Sequence, residues 1–163
     1  DEDGRLAAGE QLADPVALQR VRFSLAAHQP PAHAVAQFGG NLAHRHASLQ
    51  GKPAVLWFWT PWCPFCNQEA PSVAAVSAAN PAVTFVGIAT RADNSALQGF
   101  VAKYGLNFTN INDADGSIWA KFNVPWQPAY VFLRPDGSWT FVNNPSSAMS
   151  QQELADRVRA LTS

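Results

Sequence analysis

The chain has 163 residues, 47% hydrophobic and 14% charged, which suits one globular domain with a sizeable core and is tight for two. Eleven basic and twelve acidic side chains give a formal net charge of -1, and no basic block stands ready to neutralise a run of phosphates, so nucleic acid is not an expected partner. The longest apolar runs, such as 53–59, fall far short of the ~20 residues that cross a bilayer, and no spanning helix is expected.

Residues 1–48 are rich in Ala, Gln and His and are broken by Pro15, Pro30-Pro31 and Gly39-Gly40. They read as a peripheral extension with one strand, at 21–25. The opening Asp1-Glu2-Asp3-Gly4 has nothing of an export signal, which leaves a mature, processed form open. A second unit is expected over 49–163. After the turn signal Gly51-Lys52-Pro53, residues 54–59 form a continuous apolar run of strand length, as expected for a strand buried on both faces of a sheet. Thr60-Pro61 starts a helix at about Trp62 that passes Cys66, Glu69, Val73 and Val76 and stops at Asn80-Pro81. Pro64 is tolerated in its first turn, and Pro71 is expected to kink it.

Downstream, the pattern predicts a strand at 83–88, a helix at 93–104, a short strand at 108–111 and a short helix at 115–122. Residues 129–133 and 139–142, joined by Arg134-Pro135-Asp136-Gly137, read as a hairpin, and an amphipathic helix at 151–161 closes the chain. Strands alternating with helices imply a parallel segment, and the hairpin adds antiparallel strands. The expected fold class is α/β, a central mixed sheet flanked by helices.

The only cysteines, Cys63 and Cys66, are too few for the disulfide framework of a small secreted scaffold. They lie in Trp62-Cys63-Pro64-Phe65-Cys66, where a buried strand gives way to a helix. A helix N-terminus offers unpaired N–H groups and partial positive charge, which favour thiolate at Cys63 and make it the nucleophile. Cys66, one turn on, is placed to attack a mixed disulfide on Cys63 as the resolving thiol. A merely structural disulfide closing so short a loop stabilises by only about 2 kcal/mol. A zinc or copper site would have to recruit His44 and His46, which lie in a Gly- and Ala-rich stretch on the wrong side of a buried strand. A peroxidase would not place its resolving cysteine two residues away.

Glu69 falls three residues after Cys66 and so lies beside it on a helix. A partly buried carboxylate there takes the proton from Cys66 when that thiol must attack, whereas a solvated one is merely surface. Six Trp and ten Phe are many for this length. Trp57, Phe58 and Trp59 read as core, while Trp62, Phe65 and Trp126, flanking the cysteines or Pro128, read as contacts for a partner polypeptide. Pro64 lies between the cysteines. Trp126-Gln127-Pro128 enters the strand at 129–133, where proline is allowed only if no ladder N–H is needed.

The run 58–66, with Pro71 five residues after the second cysteine and Pro128 entering a strand, resembles the thioredoxin superfamily. The 65 positions from Cys63 to Pro128 and the place of Glu69 resemble its TlpA-like branch, whose insert would occupy about 83–123. Leu49-Gln-Gly-Lys-Pro-Ala-Val-Leu-Trp-Phe-Trp59, Phe85-Val-Gly-Ile-Ala-Thr-Arg91, Asn112-Asp-Ala-Asp115 and Phe141-Val-Asn-Asn-Pro145 are similar to the exported DsbE and DsbF thiol-disulfide oxidoreductases of mycobacteria. The resemblance covers about 49–163. It implies a thioredoxin fold, a secreted or envelope location, and disulfide exchange with exported polypeptides, served by a membrane redox partner. It implies no cofactor beyond a redox-active Cys63-Cys66 disulfide, and no metal. It also implies a cis Gln127-Pro128 bond beside Cys63, with Trp62, Pro64, Phe65, Trp126, Gln127 and Pro128 meeting substrate. Where thioredoxins carry a buried Asp six residues before the first cysteine, this chain has Trp57, which moves proton handling to Glu69. The expected direction is oxidation of exported proteins; the alternative is an extracytoplasmic reductant, for example in cytochrome c maturation.

Overall fold

The structure, a computed structural model, describes residues 10–12, 49, 51–144 and 146–163. The strand expected at 21–25, His44 and His46 lie outside the described residues. The elements are β1 (Glu10–Leu12), β2 (Ala54–Trp59), α1 (Pro64–Ala79), β3 (Thr84–Ala89), α2 (Asn94–Tyr104), β4 (Thr109–Asn112), α3 (Ser117–Lys121), β5 (Ala129–Leu133), β6 (Ser138–Asn143) and α4 (Gln151–Arg159).

These strands form one mixed sheet in the order β1-β6-β5-β2-β3-β4. β2, β3 and β4 run parallel, joined through α1 and α2. β5 returns antiparallel against β2, β6 folds back on β5, and β1 pairs antiparallel with β6 at the edge. β2 therefore sits in the middle with both neighbours hydrogen-bonded, which is why all six of its residues are buried and why its sequence is a continuous apolar run.

Side chains alternate across the sheet, and the core divides accordingly into two clusters. Val55, Trp57, Trp59, Phe85, Tyr130 and Phe132 face one way, against Val73 and Val76 of α1, Leu97 and Phe100 of α2, and Leu154 and Val158 of α4. Leu56, Phe58, Ile88, Val131 and Leu133 face the other way, against Ile118 and Trp119 of α3 and against Phe122. Trp59 stacks on Phe100 with ring centroids 4.3 Å apart, and Phe58 meets Trp119 edge-on at 5.7 Å. Gly87 of β3 makes room for this packing: a Cβ there would stand 1.9 Å from Asn110 Oδ1 and 2.8 Å from Trp59 Nε1.

The expected mixed sheet with flanking helices is the observed fold. Element ends differ where local chemistry decides them. The helix expected from about Trp62 begins at Pro64, because Cys63 is extended (φ -80°, ψ 120°) and caps it. α1 continues through Pro71 to Ala79. The helix expected over 115–122 is only Ser117–Lys121: the buried Asp113 carboxylate, lying just upstream, accepts from the N–H groups of Ile118 and Trp119 and fixes its start. α2 ends at Gly105, whose φ of 62° suits glycine.

Candidate active site

The two cysteines sit where β2 hands the chain to α1. The turn from Thr60 to Cys63 is closed by the Cys63 N–H donating to the Thr60 carbonyl at 3.4 Å, with Pro61 inside it. Pro64 opens the helix, a position where a missing N–H costs nothing. Cys63 Sγ accepts the backbone N–H of Cys66 at 3.2 Å, so the sulfur itself is the helix cap. The sulfur thus sits on one backbone N–H at the positive end of a helix. Both cysteines are free thiols here, Cys63 only 3% exposed and Cys66 fully buried. Burial, helped by the hydrogen bond to Cys63, pushes the Cys66 thiol far up, so it holds its proton unless a base removes it.

Glu69 projects from α1 into the sheet face that carries Trp57 and Tyr130 and is 2% exposed, so it is not a solvated surface carboxylate. Its Oε1 accepts the Met149 N–H at 2.6 Å; its Oε2 accepts the Tyr130 hydroxyl at 2.8 Å and the Trp57 indole N–H at 3.2 Å. Trp57 and Tyr130 are directly paired across β2 and β5, which brings both donors to one oxygen. Burial pushes the Glu69 carboxyl above its ordinary range, and the three hydrogen bonds pull the other way without cancelling it. A carboxylate offers about four acceptor sites, so three donors leave it room for one more partner. The Tyr130 phenol is pushed well above its ordinary value by its own burial and then by Glu69 beside it.

The Gln127-Pro128 peptide is cis. β5 starts at Ala129 opposite Phe58, so the Pro128 loop lies at the end of the sheet where β2 runs into the Cys63 turn. Trp62 and Trp126 are the two large apolar side chains left exposed among the described residues, at 50% and 46%. The Trp62 indole N–H donates to the carbonyl of Arg91, a residue with a left-handed φ of 58°, at 3.1 Å. Pro64 is exposed, whereas Phe65 is partly buried against the core cluster that contains both cysteines. Gln127 is 1% exposed, as nearly covered as Cys63 at 3%.

Two partners of Glu69 escaped sequence reading. Tyr130 becomes visible only once β2 and β5 are registered, because pairing opposite Trp57 sets it on the same face. Met149 contributes a backbone N–H, for which its side chain gives no signal. Among the described residues no group of three or more His, Cys, Asp or Glu side chains is placed to hold a metal ion.

A dithiol capping the helix that follows the central strand, with a cis proline entering the neighbouring strand, defines a thioredoxin-fold protein built for thiol-disulfide exchange. The Redoxin family model matches residues 30–156, and the chain belongs to that family. It is 78% identical over 117 residues to the soluble secreted antigen MPT53 of Mycobacterium tuberculosis, covering 72% of this chain and 68% of that one. A solved secreted disulfide oxidoreductase of M. tuberculosis, described as homologous to E. coli DsbE, superposes with a TM-score of 0.70 at 77% identity, covering 71% of this chain and 87% of that one. MTB DsbF, solved in mixed oxidised and reduced forms, superposes with a TM-score of 0.67 at 53% identity over 71% of this chain and 85% of that one. The chain is a thiol-disulfide oxidoreductase of the DsbE kind.

Proposed function

We propose that this protein is an exported oxidant that introduces disulfides into secreted or envelope polypeptides. The secreted description of the M. tuberculosis relatives supports the location. The observation that carries the direction is the Cys66 N–H held on Cys63 Sγ at 3.2 Å at a helix N-terminus. This contact sets an N–H donor at the helix N-terminus on the sulfur that gains electron density when the disulfide is reduced, and a protein whose reduced state is favoured is the stronger oxidant.

In the forward reaction a substrate thiolate attacks Cys63 Sγ of the Cys63-Cys66 disulfide. The S–S bond breaks, a mixed disulfide forms on Cys63, and Cys66 leaves with the electron pair. Burial makes an anionic Cys66 costly, so it takes a proton, and Glu69, one turn away with its carboxyl raised above the ordinary range by burial, is the proposed donor. A second substrate thiolate attacks the substrate sulfur of the mixed disulfide and releases Cys63 as the capped thiolate. Substrate loses two electrons and this protein gains them; a membrane redox partner removes them again. In the reverse direction Glu69 takes the Cys66 proton, as microscopic reversibility requires. Trp62, Trp126 and the backbone around Pro128 receive the polypeptide, the two exposed indoles supplying apolar contact.

The test is to mix the oxidised protein with a reduced, unfolded multi-cysteine protein and follow loss of substrate thiols. Stoichiometric oxidation that disappears in Cys63→Ala supports the proposal. Rapid reduction of substrate disulfides by the dithiol form, without appreciable oxidation by the disulfide form, establishes the reductant reading instead.

A further inference from the structure

The two turns that form the site are each held by one asparagine amide in the same way. Asn67, directly after Cys66, donates from Nδ2 to the carbonyls of Pro61 at 3.0 Å and Cys63 at 2.9 Å, spanning the turn that carries the nucleophile. Its Oδ1 accepts the Tyr104 hydroxyl at 2.7 Å, so α2 fixes the amide from behind. Asn143, the last residue of β6, pairs across the ladder with Ala129 and donates from Nδ2 to the carbonyls of Trp126 at 2.9 Å and Pro128 at 3.0 Å, spanning the cis peptide. A primary amide has two N–H groups, and each asparagine spends both on carbonyls that flank one turn.

We infer that Asn67 and Asn143 are paired positioning residues, Asn67 setting the nucleophile and Asn143 setting the loop that receives substrate. This rests on the proposed exchange at Cys63 and assigns roles that the cysteines and the proline do not explain alone. The Cys63 carbonyl also accepts the Asn67 backbone N–H at 3.0 Å, so residue 67 grips Cys63 with backbone and side chain together. Losing the side-chain grip frees the turn to drift and weakens the alignment of Cys63 Sγ with the Cys66 N–H. Losing the Asn143 grip loosens the strand entry against which the polypeptide lies, with the cysteines left in place. The two substitutions therefore disturb different kinetic constants.

The experiment compares Asn67→Ala and Asn143→Ala using a reduced dithiol peptide as substrate, with the rate of Cys63 alkylation by iodoacetamide at one fixed pH as a second readout. Asn143→Ala is expected to raise KM about fivefold, leaving kcat and the alkylation rate near wild type. Asn67→Ala is expected to lower both kcat and the alkylation rate about fivefold, leaving KM near wild type. Asp113→Ala, which removes the acceptor that starts α3 on the opposite sheet face, supplies a destabilised reference that touches neither turn. If truncation costs the fold, Asn67→Asp and Asn143→Asp keep the shape and lose the donors, and the same split is expected. The inference is overturned if the asparagine variants lose stability as Asp113→Ala does while all three kinetic quantities stay at wild type, or if both variants move the same quantity. Failure of the underlying reading shows separately, as activity that survives Cys63→Ala.

Discussion

Glu69 is a buried carboxylate pulled in two directions, with three donors favouring its charge and burial favouring its proton. If it shuttles the Cys66 proton, Glu69→Gln should slow exchange at neutral pH about 100-fold and flatten the dependence of the rate on pH, measured by stopped-flow Trp fluorescence. An unchanged pH-rate profile would remove the role. The same group is linked to stability. Its folded pKa is raised above the unfolded value, so its contribution is fully present below the ordinary carboxylate range and is lost as pH rises through the folded value. Subtracting the Glu69→Gln unfolding free energy from that of wild type, by urea titration at several pH values, should give a difference that becomes less favourable to wild type as pH rises from about 4.5. A difference independent of pH would mean that Glu69 does not titrate across that range. The burial that produces this behaviour was only half legible in the sequence: spacing from Cys66 put Glu69 on the right turn, but its donors come from β2, β5 and residue 149, and no local pattern announces that meeting.

At the scale of elements, legibility followed the strength of local signals. The uninterrupted apolar run gave β2 with the right bounds, and Pro128 followed by five apolar or aromatic residues gave β5, because runs of five and six residues bounded by proline are too short for a helix. The start of α1 was displaced because Thr60-Pro61 is itself a good initiation signal, and the cap is supplied by a cysteine sulfur, which propensity does not anticipate. α3 was overextended because its start is set by the buried Asp113 carboxylate just upstream. Asp113→Ala should cost about 2 kcal/mol in urea unfolding by leaving the Ile118 and Trp119 N–H groups without that acceptor, with redox kinetics unaltered, since α3 packs on the face away from Glu69. Gly87→Ala should cost about 1–3 kcal/mol in the same assay, because Asn110 and Trp59 must both move to admit a methyl group. A neutral effect at Gly87 would contradict the packing of Trp59 behind the active-site turn.

For the whole molecule, the sheet brings three separated pieces of chain to one end: the β2–α1 junction with the cysteines, the loop before β5 with the cis proline, and the end of β6 with Asn143. Their order along the sequence allowed the α/β class to be read, but their meeting depends on the β5–β6 hairpin docking its β5 edge against the sequence-distant β2, which periodicity alone does not specify. The proposed oxidant role requires this assembly to favour the reduced dithiol. The most direct test is the equilibrium reduction potential of the Cys63-Cys66 pair against glutathione, followed by thiol trapping. A value of about -180 to -120 mV, in the range of protein disulfide isomerase and DsbA, is predicted. A value at or below about -270 mV, that of thioredoxin, would contradict it and establish the protein as a reductant.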